Sequence, residues 1–255
     1  MRENWKVVTK MSGERSSPPK PISHDIRVDI THLPELTYWR RCVRRLFTYI
    51  SRLLAWLFTK VDIQGLENFP SQGPAIIVAN HLGDADFVLG IAFSPHPPEV
   101  LAKAELYNFP VLGKLMELYG VIWVHRGQPD RRALRASLRG LAEGRLISLA
   151  PEGRESLTGG LEEGTNGAAY LALKANAPIL PVTFMNTENM TIYPNMKRLR
   201  RTHIKIRIGK LFRLENLGDR RRSIQLGTET IMDTLANQLP VEYQGVYQMK
   251  AEPDE

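Results

Sequence analysis

The sequence predicts an α/β fold, in which a mixed, largely parallel sheet is flanked by helices and preceded by an amphipathic, membrane-binding helical segment. From about residue 61 onward, short apolar runs alternate with stretches of helical periodicity, which is typical of parallel βαβ units. The 255 residues are enough for one large α/β domain with a buried core. Before residue 61, apolar residues recur at helical spacing and are interleaved with arginine.

The N-terminal part of the chain contains two segments of different character. Residues 1–37 are rich in serine, proline and charge and lack periodicity, which predicts a flexible arm. Residues 38–60 follow the helical period and carry six basic residues and no acidic one. Basic amphipathic helices of this kind lie on anionic lipid surfaces. Packing of this helix against the protein's own core remains the alternative.

Strands and helices alternate through a predicted domain at residues 61–247, and an acidic tail follows at 248–255. Strands are predicted at Val61–Ile63, Ala75–Ala79, Val100–Ala102, Val121–Val124, Leu146–Leu149, Ile179–Phe184 and Ile204–Ile208. Helices are predicted near 84–94, 108–119, 130–143, 165–176 and 223–239. No uncharged apolar run approaches the roughly 18 residues of a spanning helix, and the N-terminus lacks the apolar core of a secretory signal. We therefore expect neither a transmembrane helix nor a secretory signal peptide.

Composition excludes several classes of protein. A chain with 43% hydrophobic and 24% charged residues is neither collagen-like nor wholly disordered. The single cysteine, Cys42, allows no internal disulfide and no cysteine-based zinc site, and the histidines lack metal-ligand spacing, so we expect no metal site. The formal net charge of +7 indicates an anionic partner, for which lipid, a phosphorylated substrate and nucleic acid are all open.

The first candidate for chemistry is the segment from Asn80 to Asp86, directly after a predicted strand. A histidine held by a carboxylate on one ring nitrogen can deprotonate a hydroxyl with the other. Asp84 lies three residues after His81 and Asp86 lies five residues after it, and the spacing leaves both open as the partner. Either aspartate could instead cap the following helix.

Two further segments follow predicted strands in the same way. Residues 151–154 read Pro-Glu-Gly-Arg, a turn that exposes backbone N–H groups and adds a guanidinium suited to phosphate. The segment from Gly120 to Arg126 predicts a buried strand with an arginine at its C-terminal end. Each pattern is weak by itself, because such turns and strand-end arginines are common.

Taken in order, these segments resemble the sequence blocks of the glycerophospholipid acyltransferases, the family of the lysophosphatidate acyltransferases. The matching segments are the N-H-x4-D block at Asn80 to Asp86, the K-x-E-L segment at Lys103 to Leu106, the second block at Gly120 to Arg126, the third at Pro151 to Gly153 and the fourth at Ala177 to Val182. The resemblance covers about residues 60–247. Several blocks in the right order and spacing are far more specific than any single one.

The resemblance implies an acyltransferase without a cofactor, whose co-substrate is acyl-CoA or acyl-carrier protein. It implies that His81, oriented by Asp86, deprotonates the hydroxyl of a lysophospholipid, which attacks the thioester directly. The acceptor most directly implied is 1-acylglycerol-3-phosphate, acylated at sn-2 to phosphatidic acid, with another lysolipid or glycerol-3-phosphate as the alternative. The implied binding residues are Lys103, Arg126, Glu152, Gly153 and Arg154. The expected location is peripheral, at the cytoplasmic face of the cell membrane.

Two departures from the family pattern lower the positive charge near the third block. Arg154 and Glu155 stand where members usually carry Thr-Arg, and residues 162–164 read Glu-Glu-Gly where many members carry a lysine pair before glycine. These departures favour either a different lysolipid as the acceptor or a phosphate that is held mainly by Arg126 and Lys103.

A non-catalytic protein that binds membrane or nucleic acid is the alternative of a different class. Residues 197–201 read Lys-Arg-Leu-Arg-Arg, and such a run can follow a phosphate backbone. A solvated basic surface or a contact with acidic lipid explains the run equally well. We therefore expect no nucleic-acid partner.

Overall fold

A computed structural model describes residues 30–127 and 129–250, with side chains described up to residue 248. Most of the predicted arm, residues 1–29, and the end of the predicted acidic tail, residues 251–255, lie outside these ranges. The statements below concern the described residues.

Seven strands form one mixed sheet, as predicted. They are β1 (Thr59–Gln64), β2 (Ala75–Ala79), β3 (Glu99–Lys103), β4 (Ile122–Val124), β5 (Leu146–Leu149), β6 (Ile179–Met185) and β7 (Thr202–Ile208). Their order across the sheet is β1-β7-β6-β2-β5-β3-β4. Only β6 and β7 pair antiparallel, and every other neighbouring pair is parallel.

Helices cover both faces of the sheet. They are α1 (Tyr38–Phe58), α2 (Ala85–Phe93), α3 (Leu112–Tyr119), α4 (Arg131–Ala142), α5 (Gly167–Ala175), α6 (Asn189–Lys197) and α7 (Arg220–Ala236). Helices α4, α5 and α7 share one apolar core with the sheet, whereas α1, α2, α3 and α6 pack on its other face. Helix α6 was not predicted, because it contains Pro194 and its one buried residue is Ile192, so its sequence has no apolar period.

The central strand β2 explains why its sequence is a continuous apolar run. Ile76 and Val78 pack into the core under α4, α5 and α7, whereas Ala75 and Ile77 pack into the core on the opposite face. A strand buried on both faces has no polar side to alternate with. The run therefore predicted a strand covered by helices on both sides.

Helix α1 packs through one face and exposes the other. Thr37 caps it, its Oγ1 accepting the N–H of Arg40 at 3.2 Å, and Val43 and Ala55 are buried against the domain. On the other face large apolar side chains are exposed, including Trp39 at 70%. Packing against the protein's own core therefore explains the apolar residues on one face of this helix and not those on the other. None of the helices in the described ranges has the length and apolar composition needed to cross a bilayer.

Residues 30–37, the last part of the predicted arm, are packed on the domain. Ile30 is buried in the apolar core that includes α3, and Arg145 donates to the carbonyl of Pro34 at 2.7 Å. These residues therefore belong to the packed domain rather than to the arm. Leu33 also packs against the core formed with α4, α5 and α7, and these few scattered apolar residues have no periodicity by which their packing could be predicted.

Arg44 departs from the expectation that the arginines of α1 face lipid. It is 3% exposed, and its guanidinium forms two hydrogen bonds of 2.8 and 2.6 Å with the carboxylate of Glu99. It also donates to the carbonyls of Tyr119 and Gly120, both at 2.9 Å, and Arg145 reaches the same carboxylate at 3.2 Å. This buried ion pair attaches α1 to the start of β3 and the end of α3.

We expect Arg44→Met to lower the free energy of unfolding by about 3–5 kcal/mol, because it leaves the buried Glu99 with only Arg145 facing it. The double variant Arg44→Met/Glu99→Met should lose less, since it leaves no buried carboxylate. Urea unfolding followed by circular dichroism measures both. The control is Arg207→Met, which breaks the more exposed ion pair with Asp62 and should leave the midpoint near that of wild type. Equal midpoints for Arg44→Met and this control would contradict the assigned role.

Candidate active site

The parallel pairing of β2 with β5 brings two of the predicted segments together. Val78 is in register with Leu149, so His81 and Glu152, each three residues further along, emerge side by side. In α/β folds, ligands bind at the carboxyl ends of parallel strands. The candidate site therefore lies at this edge of the sheet.

His81 and Asp86 form a hydrogen-bonded dyad. Nδ1 of His81 lies 3.0 Å from Oδ2 of Asp86, and the same oxygen accepts the backbone N–H groups of Leu82 at 2.7 Å and Gly83 at 3.0 Å. His81 precedes α2, which begins at Ala85. On an ideal helix, two residues five positions apart are rotated by about 140° around the axis and face different directions. His81 lies outside the helix, so its ring can still reach Asp86. The ring's Nε2 is left for a substrate.

Asp84, the other candidate partner of His81, binds elsewhere. Its Oδ2 accepts the hydroxyl of Tyr193 at 2.6 Å, and its backbone N–H donates to Oδ1 of Asn189 at 3.0 Å. Both partners belong to α6. Asp84 therefore connects the dyad loop to α6, and the geometry selects Asp86 as the partner.

The surroundings of His81 favour its protonated form. Burial lowers the pKa of His81, but the hydrogen bond and charge of Asp86 and the charge of Glu155 raise it by more, with Arg126 opposing them. The resulting pKa lies above the usual 6.5. A raised pKa makes the neutral imidazole a stronger base.

Glu152 is a buried carboxylate that joins two loops. Its Oε1 accepts the N–H of His81 at 3.3 Å, and its Oε2 accepts the N–H of Glu162 at 2.9 Å. Burial raises the pKa of Glu152 to about 7, although both N–H groups act to lower it. Both oxygens of this buried carboxylate are thus engaged by backbone N–H groups, and its role in binding stays a prediction. Its place in the structure is to fix the backbone of His81.

Gly153 and Arg154 continue the turn after β5. Gly153 has a φ of 76°, in the left-handed region that favours glycine, and its N–H donates to the carbonyl of Ala150 at 3.0 Å. Arg154 is exposed, and its guanidinium pairs with Glu162 at 2.5 Å. This ion pair neutralises the charge that the implied phosphate contact of Arg154 requires.

Arg126 and Lys103 come from the neighbouring strands β4 and β3. Lys103 pairs in register with Val124, so Arg126 emerges two residues beyond it at the same edge. Burial lowers the pKa of Arg126, whereas the nearby carboxylates of Glu105 and Glu155 act to raise it. Within the described residues, no carboxylate oxygen lies within the 4.0 Å of an ion pair with this guanidinium. Arg126 is therefore available to an anionic group.

Asn80 closes the end of β2 onto β6. Its side-chain oxygen accepts the N–H of Phe184 at 2.8 Å, and its amide nitrogen donates to the carbonyl of the same residue at 2.9 Å. The side chain is buried. Asn80 thus fixes the point at which the chain leaves the sheet for His81.

Sequence reasoning missed the side chains that α6 brings to the site. Asn189 at its start donates from Nδ2 to Oε1 of Glu155 at 3.0 Å. Gly83 allows this approach, because a Cβ there would lie 2.7 Å from the carbonyl oxygen of Thr187 and from Oδ1 of Asn189. The sequence offered one hint of this contact, which is the carboxylate of Glu155 just after the third block.

A second histidine–aspartate pair has the same spacing as the dyad. Nδ1 of His125 lies 3.1 Å from Oδ2 of Asp130. The other oxygen of Asp130 accepts the N–H groups of Arg132 at 2.9 Å and Ala133 at 3.1 Å, which caps α4. The spacing alone therefore does not define a base, and this pair offers a matched comparison for His81.

Among the residues that the structure describes, no three His, Cys, Asp or Glu side chains converge as the ligands of a metal ion do. Cys42 is half-buried on α1. The polar groups of the site are thus those of the dyad, its supporting loops and Arg126.

Comparisons with known proteins point to acyltransferases. A model of the Acyltransferase family matches residues 60–185. A 1-acyl-sn-glycerol-3-phosphate acyltransferase of Borreliella burgdorferi is 33% identical over 60% of this chain and 59% of the relative. A chloroplastic 1-acyl-sn-glycerol-3-phosphate acyltransferase of Brassica napus is 30% identical over 62% of this chain and 48% of the relative. The chain thus spans less than two thirds of the length of either relative.

A solved structure supports the fold. The crystal structure of the 1-acyl-sn-glycerophosphate acyltransferase PlsC from Thermotoga maritima matches 78% of this chain and 81% of that chain, with a TM-score of 0.59 and 22% sequence identity. At that identity the likeness establishes the fold alone. The family match, however, spans the segments that carry His81, Asp86, Arg126 and Glu152. With these segments in order on this fold, residues 60–185 match the Acyltransferase family, and the chain is similar to the 1-acyl-sn-glycerol-3-phosphate acyltransferases among the glycerophospholipid acyltransferases.

Proposed function

We propose that this protein transfers a fatty acyl group from acyl-CoA or acyl-carrier protein to the free hydroxyl of a lysophospholipid. The proposed acceptor is 1-acylglycerol-3-phosphate, acylated at sn-2 to give phosphatidic acid. The observation that carries the proposal is the 3.0 Å contact between Nδ1 of His81 and Oδ2 of Asp86, at the sheet edge where Arg126 also emerges.

The chemistry follows from the orientation of the dyad. Asp86 accepts a hydrogen bond from Nδ1–H of His81, which leaves Nε2 to take the proton of the acceptor hydroxyl. The acceptor oxygen bonds to the thioester carbonyl carbon, the C–S bond breaks, and the proton on His81 passes to the departing sulfur.

Transfer is proposed to be direct, without a covalent acyl-enzyme. The first hydroxyl after the third block is that of Ser156, whose backbone N–H donates to the carbonyl of His81 at 2.7 Å. Its Oγ is engaged within its own loop, where it donates to the carbonyl of Gly160 at 2.6 Å and accepts the N–H of Gly159 at 3.0 Å. An engaged hydroxyl of this kind is not poised as a nucleophile.

Arg126 is proposed to hold the phosphate of the acceptor. A guanidinium can donate two parallel hydrogen bonds to phosphate oxygens, and that of Arg126 has no ion-pair partner among the described residues. Lys103, half-buried at the end of β3, adds a second cation at the same edge. Of the five binding residues implied by the resemblance, we thus propose that Arg126 and Lys103 contact the acceptor.

Association with the membrane is proposed to occur through the exposed face of α1. We name this surface the apolar docking face; its residues are Trp39, Leu46, Ile50, Leu53 and Leu57, which are 45–70% exposed. Arg41 and Arg45 on the same helix are exposed and suit anionic headgroups. Helix α3, which contacts α1, adds exposed leucines. Because acceptor and product are lipids, we propose a peripheral location at the cytoplasmic face of the cell membrane.

The function is tested by acyl transfer from acyl-CoA and from acyl-carrier protein to 1-acylglycerol-3-phosphate. We expect His81→Ala to lower kcat roughly 10²–10⁴-fold, the range for loss of a general base. His125→Ala is the matched control, since it removes the other histidine of an H-x4-D pair, and it should retain wild-type activity. Mass spectrometry of the products measures the rates. Equal activity of the two variants would reject His81 as the base.

The pH dependence of kcat/KM should identify the dyad as the titrating group. The base acts as neutral imidazole, so activity should fall as the pH drops through the raised pKa of His81, at a midpoint above 6.5. Asp86→Asn removes the hydrogen bond and charge that raise this pKa, so the acid limb should move to lower pH. Glu152→Gln is the control, because Glu152 titrates at about 7. If Glu152→Gln moved the acid limb and Asp86→Asn did not, the limb would not report the dyad.

The docking face is tested by co-sedimentation with vesicles that contain phosphatidylglycerol. The double variant Leu46→Asp/Leu53→Asp should bind at least roughly tenfold more weakly, because two exposed leucines no longer enter the lipid. The control Leu226→Asp/Val241→Asp places the same charges on exposed residues elsewhere in the described chain and should bind as wild type does. Undiminished binding of the first variant would exclude α1 as the anchor.

A further inference from the structure

Glu155 is a carboxylate held at the candidate site from two directions. Its neighbour Ser156 donates a backbone N–H to the carbonyl of His81 at 2.7 Å. Its own Oε1 accepts Nδ2 of Asn189 at 3.0 Å, and Oδ1 of Asn189 accepts the N–H of Asp84 at 3.0 Å. The carboxylate is therefore fixed beside the dyad loop and is not a mobile surface group.

No cation of the described chain neutralises Glu155. Arg154, the adjacent residue, pairs with Glu162 instead, and no guanidinium or ammonium lies within the 4.0 Å of an ion pair with Glu155. Asn189 is the partner of Oε1 only. The second oxygen of Glu155 therefore remains for a donor that a ligand brings.

Glu155 and Arg126 lie near His81 at this edge of the sheet and form no ion pair with each other. The charge of each acts on His81 and on the other. Burial raises the pKa of Glu155, as do the charges of Asp84 and Asp86, whereas His81 and Arg126 lower it. A substrate at Nε2 of His81 thus meets a free cation and a free carboxylate that are separated from each other.

This pair of charges fits some acceptors better than others. A phosphate monoester carries a charge of about −1.5 to −2 at neutral pH, and here it faces Arg126 together with the carboxylates of Glu105 and Glu155. A phosphodiester carries less negative charge. If its headgroup ends in an ammonium, the phosphate matches the cation and the ammonium matches the carboxylate.

We propose that Glu155 determines acceptor specificity, and that the site also takes lysophospholipids whose phosphate is esterified to an ammonium-bearing headgroup. The phosphate binds Arg126 and the ammonium donates to the free oxygen of Glu155. This inference rests on the proposed acyl transfer and extends it from 1-acylglycerol-3-phosphate to a zwitterionic class of acceptor.

The experiment compares three acceptors at a fixed acyl donor. They are the 1-acyl lysolipids of phosphoethanolamine, of phosphoglycerol, which is a phosphodiester without an ammonium, and of phosphate. Wild type should have a kcat/KM for the phosphoethanolamine lipid roughly 10–100-fold above that for the phosphoglycerol lipid, the contribution of a hydrogen bond between charged groups. Glu155→Gln should bring this ratio near one, and the matched control Glu163→Gln, an exposed carboxylate of the following loop, should leave it at the wild-type value.

The outcomes separate the inference from the function on which it rests. A wild-type ratio near one, or a ratio that Glu155→Gln leaves unchanged, overturns the role of Glu155 while acyl transfer stands. Transfer to none of the acceptors overturns the proposed function and the inference with it. Retained transfer to the phosphoglycerol lipid by Glu155→Gln shows that this variant is folded, so that a changed ratio supports the inference.

Discussion

The parallel pairing of β2 with its two neighbours is the constraint on which the site depends. Because β2 lies between β5 and β6 in register, its last residues leave the sheet beside the turn after β5 and beside the end of β6. Asn80 then bonds to the backbone of Phe184, and Glu152 accepts the N–H of His81. The position of the histidine is thus set by strands that are far apart in the sequence.

One oxygen of Asp86 organises the loop that follows β2. It lies at hydrogen-bond distance from the ring of His81 and accepts two backbone N–H groups, so it orients the imidazole and fixes the loop between β2 and α2. The N-cap residue of α2 is Asp84, whose side chain forms no capping hydrogen bond. In the pair of His125 and Asp130 the aspartate contacts the ring and caps α4, so the same sequence spacing gives a histidine–aspartate contact at two places in the fold.

Helix α1 is connected to the site through the fold rather than through contact with substrate. The buried pair of Arg44 and Glu99 fastens α1 to the start of β3, while α2, which carries Asp86, packs against α1. The exposed apolar face of α1 therefore has a constant orientation relative to the sheet edge. The proposed transfer to a lipid acceptor requires such a fixed relation between the proposed docking face and His81.

The sequence by itself determined the class of fold, all seven strands and the segments that carry His81, Arg126 and Glu152. Strand runs, helical periods and motif spacing are local properties, and a local pattern is visible in the order of the residues. It did not reveal α6, whose Pro194 interrupts any period, nor the packing of residues 30–37, nor the burial of Arg44 in a segment of otherwise similar arginines.

Only the tertiary structure decided between Asp84 and Asp86, directed Arg154 to Glu162 and placed Glu155 beside the loop that carries His81. It also placed Glu152 where its carboxylate accepts the backbone N–H of His81. These outcomes depend on which distant segment supplies a partner at hydrogen-bond distance. Spacing along the chain cannot specify such a partner, because strand register and helix packing bring it from more than one hundred residues away in the case of Asp84 and Tyr193.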